Sequence, residues 1–313
     1  MRRAKGVIDS GRAMGSGVQY LVGTASWTDP TLVKSDLFYP PSLRTAEDRL
    51  RFYASQFNVV EVDSTYYALL SERSSRLWAE RTPPGFVFDI KAYAMLTQHG
   101  AEVSRMPNDL RAMLTERQRA EARVRYPAPE VLDAAFRMFS GSLGPLREAG
   151  KLGMLLFQFP PYFTCRPSNF EYIAGLRERL PGDRIAVEFR HRSWLADDAR
   201  ARDTLGFLRR NGLYYVSVDE PATATAMPPI LEATGPEAYI RFHGRNRETW
   251  NKRNISAAER FKYLYAEREL AEWADRIRNL GGITRAHVIF NNCYRNFGVM
   301  NAATMRSMLT RPD

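Results

Sequence analysis

Eight short apolar runs, recurring along almost the whole chain, constrain the fold more than any other feature. They are Tyr20–Thr24, Val59–Asp63, Phe86–Lys91, Leu152–Gln158, Ile185–Arg190, Leu213–Asp219, Ala238–His243 and Ala286–Asn291. Runs this short, rich in Val, Ile, Leu and aromatic residues, read as strands. Most are separated by stretches with helical spacing: Thr45–Gln56, Ser74–Arg81, Pro129–Ala149, Ser168–Leu180, Asp197–Asn211 and Ala257–Leu280, with a last helix near Ala302–Leu309. Repeated strand–helix units imply parallel strands, since a parallel neighbour is reached only through a long crossover. Eight such units in 313 residues predict an α/β fold, a single (β/α)8 TIM-like barrel with its helices outside. The competing open doubly wound sheet lacks a Gly-x-Gly-x-x-Gly after any strand.

Two segments break the rhythm. After strand three, His99–Tyr126 alternates Arg with Glu and Asp and reads as a helical insertion over the barrel mouth. After strand six, Pro221–Pro236 is rich in Ala, Thr and Pro, so a long loop replaces the expected helix. Residues 1–17 are basic and Gly/Ser-rich and read as a flexible tail, native or left over from cloning. Residues 18–313 read as one domain.

Side chains of a strand alternate between its faces, so each run can be split by parity. In most runs one face is wholly apolar, while the other turns polar toward its C-terminal end. Placed inside a barrel, the polar face brings Glu61, Asp63, Asp89, Lys91, Gln158, Glu188, Arg190, Asp219, Arg241, His243 and Asn291 toward one mouth. So many charges in a low-dielectric interior require partners or a ligand. His287, deeper in strand eight, reads as a hydrogen-bonded core residue.

Composition narrows the partners. Two cysteines are too few for a disulfide framework and suit a reducing cytoplasm. No apolar run is long enough to span a bilayer, and no apolar segment follows the basic start as a signal peptide requires. A net charge of +10 favours anionic partners, a small ligand or nucleic acid, although the Arg residues form no dense tract.

The residues also carry a resemblance. Gly23-Thr24-Ala25-Ser26-Trp27 with Phe38-Tyr39-Pro40, and Val60-Glu61-Val62-Asp63-Ser64-Thr65-Tyr66-Tyr67, resemble the opening of the YecE-like family, a domain of unknown function numbered 72. So do Phe86–Lys91 with Thr97 and His99, and Leu156–Pro161. Glu188–Trp194, Tyr239–Arg245 and Phe290-Asn291-Asn292 complete the set. The chain differs at Asp63 and Tyr66, where the family usually shows Asn and Phe. The resemblance implies an eight-stranded barrel and brings no established activity.

Three functional readings follow from the residues. The first is acid/base chemistry on an anionic, phosphate- or carboxylate-bearing substrate, as in a hydrolase, lyase or isomerase. Glu188, Glu61, His243 and Asp219 are its candidate catalytic groups. Arg190, Arg241 and Lys91 would clamp the anion, with Gln158 and Asn291 beside them and Trp27 and Trp194 as flat walls. The second is a metal-dependent hydrolase of the phosphodiesterase or endonuclease type, with Glu61, Glu188, Asp219 and His243 as possible ligands of a divalent metal. The third is a non-catalytic nucleic-acid-binding protein.

Overall fold

The computed structural model describes residues 17–311 except 224 and 253; most of the expected tail lies outside the described residues. Eight parallel strands close a barrel: β1 (Gln19–Ala25), β2 (Val59–Val62), β3 (Val87–Lys91), β4 (Leu152–Gln158), β5 (Arg184–Glu188), β6 (Tyr214–Asp219), β7 (Glu237–Phe242) and β8 (Arg285–Phe290). Each pairs with its sequence neighbours, and β8 closes on β1. The outer layer includes α1 (Ala46–Gln56), α2 (Glu72–Glu80), α3 (Pro129–Ser142), α4 (Pro167–Ala174), α5 (Asp198–Arg210), α6 (Glu267–Arg278) and α7 (Phe297–Thr310). Local chemistry sets their starts: Thr45 and Asp48 form a capping box on α1, and Asp197 caps α5. Among the described residues no helix is long and apolar enough to cross a membrane.

The parity reading holds for six of the polar-ended strands and fails for β6. Val218 lies beside the inward Arg241, and Asp219 beside the outward Phe242. Asp219 therefore points away from the barrel interior. It accepts hydrogen bonds from Arg245, Tyr265 and, at 2.8 Å, from Trp273 on α6. The next residue, Glu220, takes the mouth position instead. Both faces of β6 are buried, one by the barrel and one by helices, so polarity could not identify the inner one.

The insertion after β3 carries short helices, as expected, Asn108–Ala112 and Glu116–Ala120, between the two strands of a small antiparallel ribbon, Ala101–Glu102 against Arg123–Val124; its expected place over the mouth changes. None of its described residues lines the mouth cavity. The mouth is roofed instead by the segment after β7, with short helices Arg247–Trp250 and Ala257–Arg260. The loop between β6 and β7 is as expected, without a helix among its described residues.

Beneath the mouth, a second polar layer crosses the barrel. His287 donates from Nδ1 to Asp89 Oδ2 at 2.8 Å and from Nε2 to Glu237 Oε2 at 3.1 Å. Asp89 also accepts from the Met154 amide at 2.7 Å, where Gly153 is an extra residue in β4. A Cβ at Gly153 would meet Asp89 Oδ1 at 2.1 Å, so this crossing needs glycine. Burial pulls His287 toward neutrality, but Asp89 and Glu237 outweigh it and raise its pKa above the ordinary 6.5. Burial would lift Glu237, yet His287 and Arg184 hold it at about 2.

The sign of the pH effect follows. A histidine whose pKa rises on folding contributes fully below 6.5, and that contribution fades as pH climbs through its folded value. Glu237 contributes above 4.5 and loses its contribution as pH falls toward 2. His287→Leu, which leaves the buried Asp89 without its counter-charge while Glu237 keeps Arg184 and Arg285, is expected to cost ~3–5 kcal/mol near neutrality and below. Urea titrations should show the gap to the parent narrowing as pH rises above 6.5; a gap independent of pH would show that the ring is neutral.

Candidate functional site at the barrel mouth

The strands end on a cavity of about 760 Å³ at the C-terminal mouth. Asp63, Lys91, Gln158, Arg190, Glu220 and Asn291 form its polar floor; Trp250 and Phe261 stand among its upper lining. The floor rests on a fully buried layer of Glu61, Glu188, Arg241 and His243, each 0 % exposed. Of the residues singled out from sequence, Lys91, Gln158, Arg190 and Asn291 thus reach the cavity, while Glu61, Glu188, Arg241 and His243 lie directly below it.

Arg241 organises the lower layer. Its Nε donates to Glu61 Oε2 at 2.9 Å, Nη2 to Glu61 Oε1 at 2.5 Å and Nη1 to Glu188 Oε2 at 2.5 Å. Tyr239 adds a 2.6 Å hydrogen bond to Glu61. A planar guanidinium presents donors along two edges, so one Arg can hold two carboxylates where a Lys could not. The expectation that Arg241 forks onto a ligand is therefore corrected: its fork is filled by protein.

Arg190 forms the next tier. Its Nε contacts Glu188 Oε1, Nη1 lies 3.3 Å from Glu220, and Nη2 lies 3.3 Å from Gln158 Oε1 and 3.0 Å from His243 Nε2. An arginine only donates, so His243 Nε2 accepts and the neutral ring carries its proton on Nδ1. Asn291 stands with Nδ2 3.0 Å from Nδ1, and a flip of its amide brings the oxygen onto that proton. Burial and Arg190 push His243 down to about 3, consistent with this neutral form. Burial would lift Glu188, but Arg190 and Arg241 hold it well below the usual carboxylate range. His243 and Glu188 accordingly position Arg190 and Arg241, and neither presents an atom to the cavity.

The titratable pair nearest the cavity is Glu61 with Asp63. Burial raises Glu61 to about 7, opposed by Arg241 and reinforced by Asp63. Burial also acts on Asp63, but Lys91 and Arg241 win and hold it below its ordinary range. Such a pair releases its protons in two steps, the second near 7.

Three predicted site residues are brought neither to the cavity nor to the layer below it. Asp219 faces α6, as described above. Trp27 is core, edge-on to Trp78 at 5.1 Å and to Phe88 at 6.4 Å. Trp194 is fully buried, stacked on Phe189 at 4.3 Å, and donates to the Phe163 carbonyl at 2.7 Å. An indole next to a charged strand end is as suited to wedging a loop onto the core as to lining a site. The possible metal set is likewise not assembled. Asp219 is on the other face, Arg241 occupies both Glu61 and Glu188, and no group of three candidate ligands occurs among the described residues.

Sequence reading missed Glu220, Trp250 and Phe261. Glu220 was hidden by the inverted phase of β6. Trp250 lies 5.9 Å above the Arg190 guanidinium, in a stretch without strand periodicity that nothing local ties to the mouth.

Comparison with known proteins agrees with this architecture. Residues 21–313 match a family model described as "Protein of unknown function DUF72". The chain is 31% identical over 277 residues to the UPF0759 protein YunF of Bacillus subtilis (strain 168), covering 87% of this chain and 88% of that one. It is similar to a crystal structure of a DUF72 family protein from Enterococcus faecalis V583, at 26% identity and a TM-score of 0.75, covering 94% and 97% of the two chains. A DUF72 family protein from Thermotoga maritima MSB8 matches at 29% identity and a TM-score of 0.72, covering 94% and 100%.

Arg241→Met is expected to cost ~3–5 kcal/mol, because it leaves Glu61 and Glu188 buried without their counter-charge. Arg241→Lys should recover only part of that loss. Urea unfolding measures both; a near-neutral Arg241→Met would refute the supporting role assigned to this side chain.

Proposed function

Because the chain belongs to the DUF72 family of proteins of unknown function, its chemistry has to be read from the mouth, and we propose that this site binds a small anionic ligand and carries out proton transfer on it. The observation that carries the reading is Lys91. Its ammonium has three donors at the cavity floor, yet among the described residues its partners are Asp63 Oδ1 at 3.4 Å and the face of Tyr66 at 5.1 Å. Donors are left over for a phosphate or carboxylate. Arg190, anchored from below by His243 and Glu188, supplies a second, pre-oriented cation. Fixing it in advance lowers the entropy lost when a ligand binds.

The proton-transfer part rests on Asp63 and Glu61. Asp63 faces the ligand space, and the pair behind it takes up or gives up a proton near neutrality, where acid/base groups are most effective. Glu188 and His243, the first candidates for this work, act through Arg190 and Arg241.

The test uses inorganic phosphate and acetate as probes. Both should raise the melting temperature of the parent, and Lys91→Ala should remove the shift. A ligand anion disfavours the ionised carboxylates, so binding near pH 7 should draw in a proton. Calorimetry in buffers of differing ionisation enthalpy measures that uptake, and Asp63→Asn, which dissolves the pair, should abolish it. Absence of stabilisation by either probe, or a shift that survives Lys91→Ala, would refute the anion site; binding without proton uptake would refute the acid/base pair.

A further inference from the structure

We infer, building on the anion site proposed above, that its ligand is an anionic sugar, a polyhydroxylated ring bearing a phosphate or a carboxylate. The floor offers donors and, from Asp63, one carboxylate acceptor. Gln158 spends its carbonyl oxygen on Arg190 and Arg241, which leaves its amide N–H groups for the cavity. Asn291, once its amide is turned so that the oxygen meets the His243 Nδ1 proton, likewise directs its N–H groups away from the ring. With Lys91 these are the donors. Against them stands the Asp63 carboxylate, whose Oδ1 has no aligned hydrogen bond, with the Lys91 ammonium at 3.4 Å and the Arg241 guanidinium at 3.9 Å.

A bare anion satisfies the donors but leaves Asp63 without a donor and repels it. A neutral polyol satisfies Asp63 but brings no anion to the remaining donors of Lys91. A ligand with both an anionic group and hydroxyls meets each group at once, and a buried polar group left unmet is costly. Sites built to hydrogen-bond a hydroxyl discriminate strongly against analogues that lack it.

The roof supplies the third element. Trp250 and Phe261 stand 5.8 Å apart, ring to ring, over the floor. An indole face is a flat, weakly polar surface suited to the C–H face of a sugar ring. The roof segment is braced mainly within itself, by Thr249 to the Arg260 carbonyl at 3.0 Å and Asn246 to the Lys262 carbonyl at 3.0 Å. It therefore presents the two rings as a unit. Glu220 does not compete for the sugar, since it accepts from the Met227 amide at 2.8 Å and faces Arg190.

The experiment compares dissociation constants, by calorimetry, for inorganic phosphate, acetate, glucose, and a panel of pentose and hexose phosphates and uronates. At least one phosphorylated or oxidised sugar should bind roughly tenfold or more tighter than both its bare anion and glucose. The preferred member distinguishes phosphate from carboxylate as the anionic group. Trp250→Ala should remove most of that advantage while weakening phosphate itself far less, and Trp250→Phe should restore part of it. If phosphate or acetate binds but no panel sugar gains over it, or if Trp250→Ala leaves the gain intact, the sugar inference is overturned and the anion site stands. If neither simple anion nor any panel member binds, the anion site itself fails.

Discussion

Arg241, at the centre of the barrel, holds two carboxylates from opposite sides, and the rest of the mouth depends on that contact. Glu61 comes from β2 and Glu188 from β5, so a single guanidinium ties strands that are not neighbours in the sheet. In a low-dielectric interior the arrangement is favourable only because nearly every donor and acceptor is met. Tyr239 completes Glu61 from below, and Arg190 meets Glu188 from above. The charged layer is therefore a rigid base on which the ligand-facing tier is built.

That tier follows from the base by hydrogen-bond logic. Once Arg190 is fixed on Glu188, it donates to His243, which forces the ring into its neutral Nδ1–H form and turns the Asn291 amide. The buried acids and imidazole thus orient the groups above them. Lower still, the Asp89–His287–Glu237 crossing spans the barrel with a charge of its own and leaves Gly153 no room for a side chain. Two stacked polar layers in one barrel are expensive to bury, and the upper one alone opens on a cavity.

Much of this was legible in the chain. All eight strands, the parallel order and the crowding of Glu61, Lys91, Gln158, Glu188, Arg190, Arg241, His243 and Asn291 at one end follow from alternation in short apolar runs. The family resemblance pointed to the same barrel, and the family match and solved relatives agree with it. The two indoles beside strand ends were misplaced for a definite reason. Burial of Trp27 and Trp194 depends on Trp78, Phe88, Phe163 and Phe189, and sequence adjacency to a charged motif is blind to such distant partners.

The sequence by itself determined the barrel and which end of it is polar, because period-two alternation is a local property written into each strand. Only the tertiary structure decided which charges face a ligand and which are spent on one another, since that depends on pairings such as Glu61 with Arg241 across 180 positions. It also decided that Glu220, just after β6, and not Asp219 faces the mouth, because in a strand buried on both faces the polar Asp219 is met by Tyr265 and Trp273 on the outer one. The roof is of the same kind. Trp250 reaches Arg190 only once β5 and β7 have closed into one ring.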